Sequence, residues 1–500
     1  MLKMLMPNLR LVFWVALFWG VLALGPTMMN VDGDLGRHLT IGEYIIATRS
    51  IPTTDLFSHT MTGQELTPHE WMAQISFALA YRWLGLNGVV LLTAIVIATA
   101  FTLVFQACIR ASQSLIVGLF CALLAIGASS LHWLTRPHIF TFLFLVIWVR
   151  LLDQIRHGKW QVLVVMPFVM GMWANFHGAF VAGFAVWVLF LAGLIWERWI
   201  EGSLEIQVSS IWRMALGGLI SFLATLINPV GLRLWSTSLG YVSNAYLVGH
   251  TAEYLSPDFH HPSTWPFLLM IGLALLTFGL LEKRLRAPEI FLVCGWLVMG
   301  LYSQRNIPLS AIIVAPVLAI AIQKLVDGLR PGLQVAEGLR LLDDRWLVIE
   351  KQFGGWLWAG VVVVLAGLAL NQGVRLDFNR QGNTFDARVF PVAALDWVEE
   401  NPQSGKVFNY FPWGGYLLYR AWPGITVFID GQTDFYGETL SREYEKVLTL
   451  DGGWQEILAR YDVQWVLMPT ESALVRELRV TSGWKEVYRD NVAVILHRLP

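Results

Sequence analysis

A chain of 500 residues with 56% hydrophobic and only 14% charged side chains, at a mean hydropathy of +0.55, is too apolar for a soluble protein of ordinary make-up and reads as an integral membrane protein. Its formal net charge of -1 leaves no basic footprint for nucleic acid. Cys108, Cys121 and Cys294 fall within or at the ends of apolar runs without C-x-x-C or C/H spacing, so they read as packing residues and set no redox compartment.

About eleven windows have the length and hydropathy expected of membrane spans. They lie near residues 10–29, 87–107, 115–132, 139–152, 161–174, 178–196, 212–228, 265–281, 288–303, 307–323 and 355–372. The first follows Lys3 and Arg10 and lacks a convincing small-residue cleavage site, so it reads as a retained anchor. With the N-terminus inside and the sides alternating, about sixteen Lys and Arg fall inside and about six in the outer loops before the tail. That asymmetry predicts a multi-pass protein of the inner (cytoplasmic) membrane, with a cytoplasmic N-terminus and an extracytoplasmic tail.

Directly after the anchor comes MNVDGDLGRHL, which sets Asp32, Asp34, Arg37 and His38 at the outer membrane edge. Charge held there at a cost in desolvation points to a site acting on a lipid-borne substrate. Two helices fit the first outer loop, residues 30–86. The first runs from Asp34 to about Thr48 and puts Asp34 and His38 one turn apart, although Asp34 could also serve only as its N-cap. In the second, Thr67, Pro68 and Glu70 spell a capping box, which makes Glu70 structural, and Trp71, Ile75, Ala78, Tyr81 and Trp83 form a stripe suited to the membrane interface.

Further along, Thr135-Arg136-Pro137-His138, Asn175-Phe176-His177 and Gln304-Arg305-Asn306 lie at outer helix ends. The forked donors of Arg136 and Arg305 suit a lipid phosphate, while snorkelling toward headgroups explains them equally well. Asn175 and His177 sit in a tight hairpin where a hydrogen-bonded turn is the alternative. A second outer loop, 229–264, carries His250 and Glu253 three residues apart. With Asp34 they are candidate ligands for a divalent cation (Mg or Mn), though no H-E-x-x-H spacing is present. The inside loop 324–354 reads as a short amphipathic surface helix.

After residue 373 the charge density becomes that of a soluble domain. Its pattern predicts a helix over 391–400, a strand over 406–410, a helix near 416–420, a strand over 425–429, helices near 438–448 and 454–460, a strand over 463–468, a helix over 472–478 and a hairpin near 484–496. This is a small α/β domain. Gly414-Gly415 and Asp430-Gly431 follow predicted strands but make no phosphate-loop fingerprint, so both read as turns.

The anchor, the long first loop with Asp32 and Asp34, the many spans and the soluble tail resemble the GT-C superfamily of polytopic glycosyltransferases, which includes oligosaccharyltransferase catalytic subunits, protein O-mannosyltransferases and lipid A sugar transferases. More narrowly, DGDLGRHLTIGEYI, IPTTDLFSHT, HEW, NFHG, INPVG and FNYFPWGGYL resemble a bacterial group of this type. The resemblance implies an α-helical polytopic membrane protein, a GT-C-like domain over 1–372 with an extracytoplasmic α/β domain over 373–500. It also implies inverting transfer from a polyprenyl-phosphate sugar, with Asp34, or Asp32 beside it, as general base and His38 or a divalent ion orienting the site. Arg37, Arg136, His138, Asn175, His177, Glu253 and Arg305 are then the candidate substrate-binding residues. The tail has no W-W-D-Y-G-type motif, so asparagine-linked transfer is not supported, and the acceptor is left open among lipid, glycan and protein. The rival reading is a non-catalytic binding or assembly subunit, or a carrier of lipid-linked substrate, on the same scaffold.

Overall fold

The computed structural model describes residues 6–281, 284–328 and 334–499. Lys3 and residues 329–333 of the loop 324–354 lie outside the described residues. Among those described, seven helices are long and apolar enough to cross a membrane: Leu86–Ser112, Leu115–His132, His138–Arg156, Phe180–Ile200, Val208–Thr225, Pro262–Leu280 and Gln304–Asp327. Four shorter apolar helices, Leu9–Ala23, Trp160–Phe176, Ala287–Tyr302 and Leu357–Asn371, fall on the other four windows. Side-chain caps start one short and one long apolar helix, since Asn8 accepts from Leu11 N at 2.9 Å and Ser114 from Val117 N at 3.1 Å. Leu86–Ser112 is the central helix, packed against Leu9–Ala23, Leu115–Ser129, His138–Arg156 and Ile307–Asp327. The peripheral Trp265–Leu280 helix leaves Leu268, Leu269, Leu275 and Leu276 exposed, as a lipid-facing helix should.

At the end of the bundle opposite the sheet domain, the amphipathic Gln334–Gln352 helix closes two helix N-termini with carboxylates. Glu350 accepts from Leu9 N at 2.9 Å and Arg10 N at 3.3 Å and also pairs with the Arg10 side chain, while Asp343 accepts from Leu115 N at 2.6 Å. Free N–H groups and the positive end of the helix dipole account for both contacts.

The C-terminal domain contains a four-stranded sheet, β1 (Lys406–Asn409), β2 (Val463–Pro469), β3 (Trp484–Arg489) and β4 (Ala493–Arg498), in the order β1-β2-β4-β3. The β1–β2 pair is parallel and the other two pairs are antiparallel. The strand period of two sends Phe408, Val466, Met468, Val494 and Leu496 into a core under the Thr433–Thr449, Trp454–Arg460 and Ala473–Val480 helices. Val407, Trp465, Leu467 and Ile495 point the other way, into a core shared with Ile41, Ile45 and Phe57 of the first loop. The first loop is thus part of the sheet domain's packing.

Three sequence expectations fail here. Residues 425–429 are not a strand: Val427 makes one bridge to Ser58, with Val427 N donating to Phe57 O at 3.1 Å, because the segment is drawn to the first loop instead of the sheet. The capping box at Thr67 does not form, since the helix begins at Trp71 and Thr67 Oγ1 bonds Thr237 Oγ1 at 2.8 Å. Most of the aromatic stripe of that helix packs within the protein. Trp71 and Ile75 pack into the core shared with the sheet domain, the Tyr81 hydroxyl meets that of Tyr419 at 2.7 Å, and only Trp83 is fully exposed.

Candidate active site

The site is assembled where the first loop meets the sheet domain. The Asp34–Thr48 helix forms with the bounds expected, with Gly33 at its N-cap position and Asp32 Oδ1 accepting from Asp34 N at 3.0 Å. It lies backbone to backbone on the Gly414–Ala421 helix. A Cβ on Gly33 would collide with Pro412 O, one on Gly36 with Gly415 O, and one on Gly415 with Gly33 O. Gly415 is therefore a helix contact and Gly414 packs against Ile429 and Asp430, correcting their reading as a turn. Together with the glycines of DGDLG, Gly415 lets the two helices approach without side chains between them.

Arg136 gathers the acids. Its guanidinium is 3.1 Å from Asp32 Oδ2, 2.7 Å from Asp34 Oδ2 and 3.0 Å from Glu253 Oε1. Thr135 anchors the segment, its N–H donating to Met28 O at 3.2 Å. Glu253 sits in the short turn Ala252–Tyr254, held by Ser303 Oγ and Gln304 Nε2 donating to the carbonyls of Glu253 and Ala252 at 3.1 and 2.7 Å. The guanidinium of Arg305 lies over the Tyr254 ring, donates to its hydroxyl at 2.9 Å and stands 3.9 Å from Glu253 Oε2. A chain of charges thus runs from Asp34 through Arg136 and Glu253 to Arg305. Burial pushes Asp32 up to about 6, with Asp34 adding to the effect and Arg136 opposing it. Burial would raise Glu253 too, but Arg136 and Arg305 hold it down to about 2.

A second cluster surrounds Glu70, which the failed capping box leaves facing inward. Arg37, His38 and His69 lie 3.8 Å from its carboxylate and His177 3.7 Å. Burial, then the charge of Arg37, holds His38 well below the usual histidine range, and burial with Arg305 does the same to His177. Both imidazoles are neutral at pH 7 and serve as hydrogen-bonding groups. His177 Nδ1 is 3.0 Å from Thr141 Oγ1, and His38 Nδ1 is 3.5 Å from Gln74 Nε2.

The sheet domain supplies the remaining wall. Asn409 accepts from Phe428 N at 2.8 Å and donates to Ile429 O at 2.9 Å, which carries Asp430-Gly431-Gln432 onto the Asp34–Thr48 helix. Gln432 Oε1 accepts from Arg37 Nη1 at 2.9 Å, Asp430 Oδ1 is 3.8 Å from Arg37 Nε, and Asp434 is 3.7 Å from His69. A Cβ on Gly431 would overlap the Asp34 carboxylate. Burial would strip Arg37 of charge, yet Asp430, Asp34 and Glu70 hold it above the usual arginine range. Asp430 in turn is pushed up to about 6 by its own burial, with Arg37 opposing. Sequence reasoning gave Glu70 a structural role, read Asp430-Gly431 as a turn and passed over Gln432 and Asp434. The one available signal was that Asp430-Gly431 repeats the Asp-Gly pattern of Asp32-Gly33 after an apolar run.

Other expected residues are placed differently. Asn175 Oδ1 accepts from Trp71 Nε1 at 2.7 Å and its amide donates to Gly171 O and Ile227 O at 2.8 and 2.9 Å, which is a structural role. His138 Nε2 bonds His132 O at 2.7 Å. His250 turns to Tyr246 O at 2.8 Å and stacks on that ring. The expected cation ligands Asp34, Glu253 and His250 therefore do not form a set. Arg136 stands between the two acids, and among the described residues no three carboxylate, imidazole or thiol groups converge to hold a metal.

No protein-family model matches the sequence, and no curated protein matches it significantly. Solved structures do match in fold. The apo form of the Archaeoglobus fulgidus oligosaccharyltransferase superposes at a TM-score of 0.61 and 11% identity, over 92% of this chain and 69% of that one. The archaeal oligosaccharyltransferase AglB from Archaeoglobus fulgidus, in complex with an inhibitory peptide and a dolichol-phosphate, gives 0.61 and 11% over 96% and 73%. ArnT from Cupriavidus metallidurans bound to undecaprenyl phosphate gives 0.52 and 15% over 97% of both chains. These are GT-C glycosyltransferases, and the chain shares their fold.

Proposed function

We propose that the protein transfers a sugar from a polyprenyl-phosphate-linked donor to a lipid, glycan or protein acceptor, with inversion, at the membrane face that carries the sheet domain. The observation that carries this reading is the unbroken link from Asp34 through Arg136 and Glu253 to Arg305, on a fold shared with proteins whose structures hold dolichol phosphate or undecaprenyl phosphate. It couples a base to a phosphate-binding cation in one rigid unit. The acceptor hydroxyl loses its proton to the Asp34 carboxylate as its oxygen bonds the anomeric carbon. The carbon–phosphate oxygen bond breaks on the opposite face, and polyprenyl phosphate leaves. Arg305 is the better phosphate ligand of the two arginines expected, because Arg136 already serves three carboxylates. His38, buried and neutral, positions the helix that carries Asp34 and does not touch substrate.

The excess of Lys and Arg on the other side supports an inner-membrane location with that face extracytoplasmic. The domain division near residue 372 is part of the same reading. Mass spectrometry of detergent-purified protein tests it. Wild type should carry a polyprenyl-phosphate sugar that Arg305→Ala loses, and should consume it when an acceptor extract is added. Bound lipid-linked sugar that is never consumed would favour the non-catalytic reading, and bulk phospholipid alone would remove the donor assignment.

A further inference from the structure

We propose that Arg136 is a built-in cation that takes the place a divalent metal would occupy among Asp32, Asp34 and Glu253, so that the site works without one. The inference deepens the transferase reading and rests on it for the word "works"; the charge arrangement stands by itself. Three carboxylates gathered around one guanidinium repel each other and need a countercharge. A divalent cation is the usual solution for oxygen donors. Here each acid sends an oxygen to within 3.1 Å of the same guanidinium, Asp32 and Glu253 accepting hydrogen bonds at 3.1 and 3.0 Å and Asp34 forming an ion pair at 2.7 Å. Arg136 keeps its charge in that setting, because a guanidinium is not deprotonated in proteins.

A metal ion would have to enter the same set of oxygens beside that fixed positive charge, with Arg305 adding a second one 3.9 Å from Glu253. Of the nearby imidazoles, His138 and His250 each bond a backbone carbonyl. A guanidinium also differs from a metal in chemistry. It holds Asp34 through an ion pair at 2.7 Å while its other arm hydrogen-bonds Asp32 and Glu253. Arg136 is thus a positioning residue for Asp34.

The test uses full-length protein in detergent and Mn2+ alone as the probe, followed by electron paramagnetic resonance of free Mn2+. Wild type should show no binding that Asp34→Asn or Glu253→Gln removes. Arg136→Ala should gain a site at least about tenfold tighter, lost again when Asp34→Asn is added, because the three acids regain a need for a cation. If wild type binds one Mn2+ through Asp34 or Glu253, or if folded Arg136→Ala gains no site, the proposal is overturned. Should Arg136→Ala fail to fold, Arg136→Gln, which keeps hydrogen bonding without charge, carries the same expectation, and the wild-type measurement decides by itself. Where transfer is detectable, a chelator should leave the wild-type rate unchanged, and added Mn2+ should restore part of the rate lost in Arg136→Ala. Absence of transfer would sink the enzymatic reading while leaving the Mn2+ result to judge this one.

Discussion

Gly431 of the sheet domain lies against the carboxylate of Asp34 so closely that no side chain fits between them. The Asp34 carboxylate and the loop packed on it therefore come from chain segments about 400 residues apart, and each depends on the other's backbone path.

Gly431→Ala should push the loop or the Asp34 carboxylate aside. The expected stability cost is about 1–3 kcal/mol, and the transfer rate should fall by about 100-fold because Asp34 is displaced from its ion pair with Arg136. Thermal unfolding and initial rates measured on the same preparation check both. An unchanged rate would show that the close approach does not matter to the chemistry.

Asp34→Asn keeps the shape of the side chain and removes its capacity to accept a proton. Transfer should drop by about 10²–10⁴-fold while co-purified polyprenyl phosphate is retained, since Arg305 is untouched. Native mass spectrometry beside a transfer assay separates the two quantities. Equal losses of binding and transfer would assign Asp34 to the donor site.

Asp430 gives a pH signature. Its folded value of about 6 lies above the ordinary 3.8, so the folded state holds the proton more tightly than the unfolded one. Its contribution to stability is fully present below about 3.8 and is lost as pH rises through about 6, for a total of about 3 kcal/mol. Denaturation between about pH 7.5 and about pH 5 should show wild type gaining stability relative to Asp430→Asn on acidification. Asp32 titrates in the same window, which is why the difference between the two proteins is the informative quantity. Glu253 has the opposite sign: its contribution is present above about 4.5 and is lost as pH falls through about 2.

Glu350→Gln should loosen the far end of the molecule alone. The carboxylate accepts from two free N–H groups of the Leu9–Ala23 helix and pairs with Arg10, so its loss should cost about 1–3 kcal/mol locally. Amide exchange should accelerate at Leu9 and Arg10 and stay unchanged in the Asp34–Thr48 helix. Equal acceleration in both would mean that the two ends are coupled.

Much of the fold was legible because it follows from local rules. Every hydropathy window carries an apolar helix, since a membrane-length run can satisfy its backbone only within itself. Asp34–Thr48 was recognisable from its apolar period, and β1, β2 and the final hairpin from alternation. Glu70 was misread because a capping box is a local preference worth little beside a buried cluster of Arg37, His38, His69 and His177 that draws the carboxylate inward.

The sequence by itself determined the class of the molecule, the positions of its apolar helices and the presence of charge beside the first of them, because hydropathy and helical period act over one turn to a few. Only the tertiary structure decided which charges meet. Arg136 joins Asp32, Asp34 and Glu253, and Arg37 is held by Gln432, across separations in sequence that no spacing rule spans. Residues 425–429 carry a strand's pattern yet bond to the first loop, because a strand finds its partner among whatever the fold brings alongside, and here that was the segment at Phe57 and Ser58.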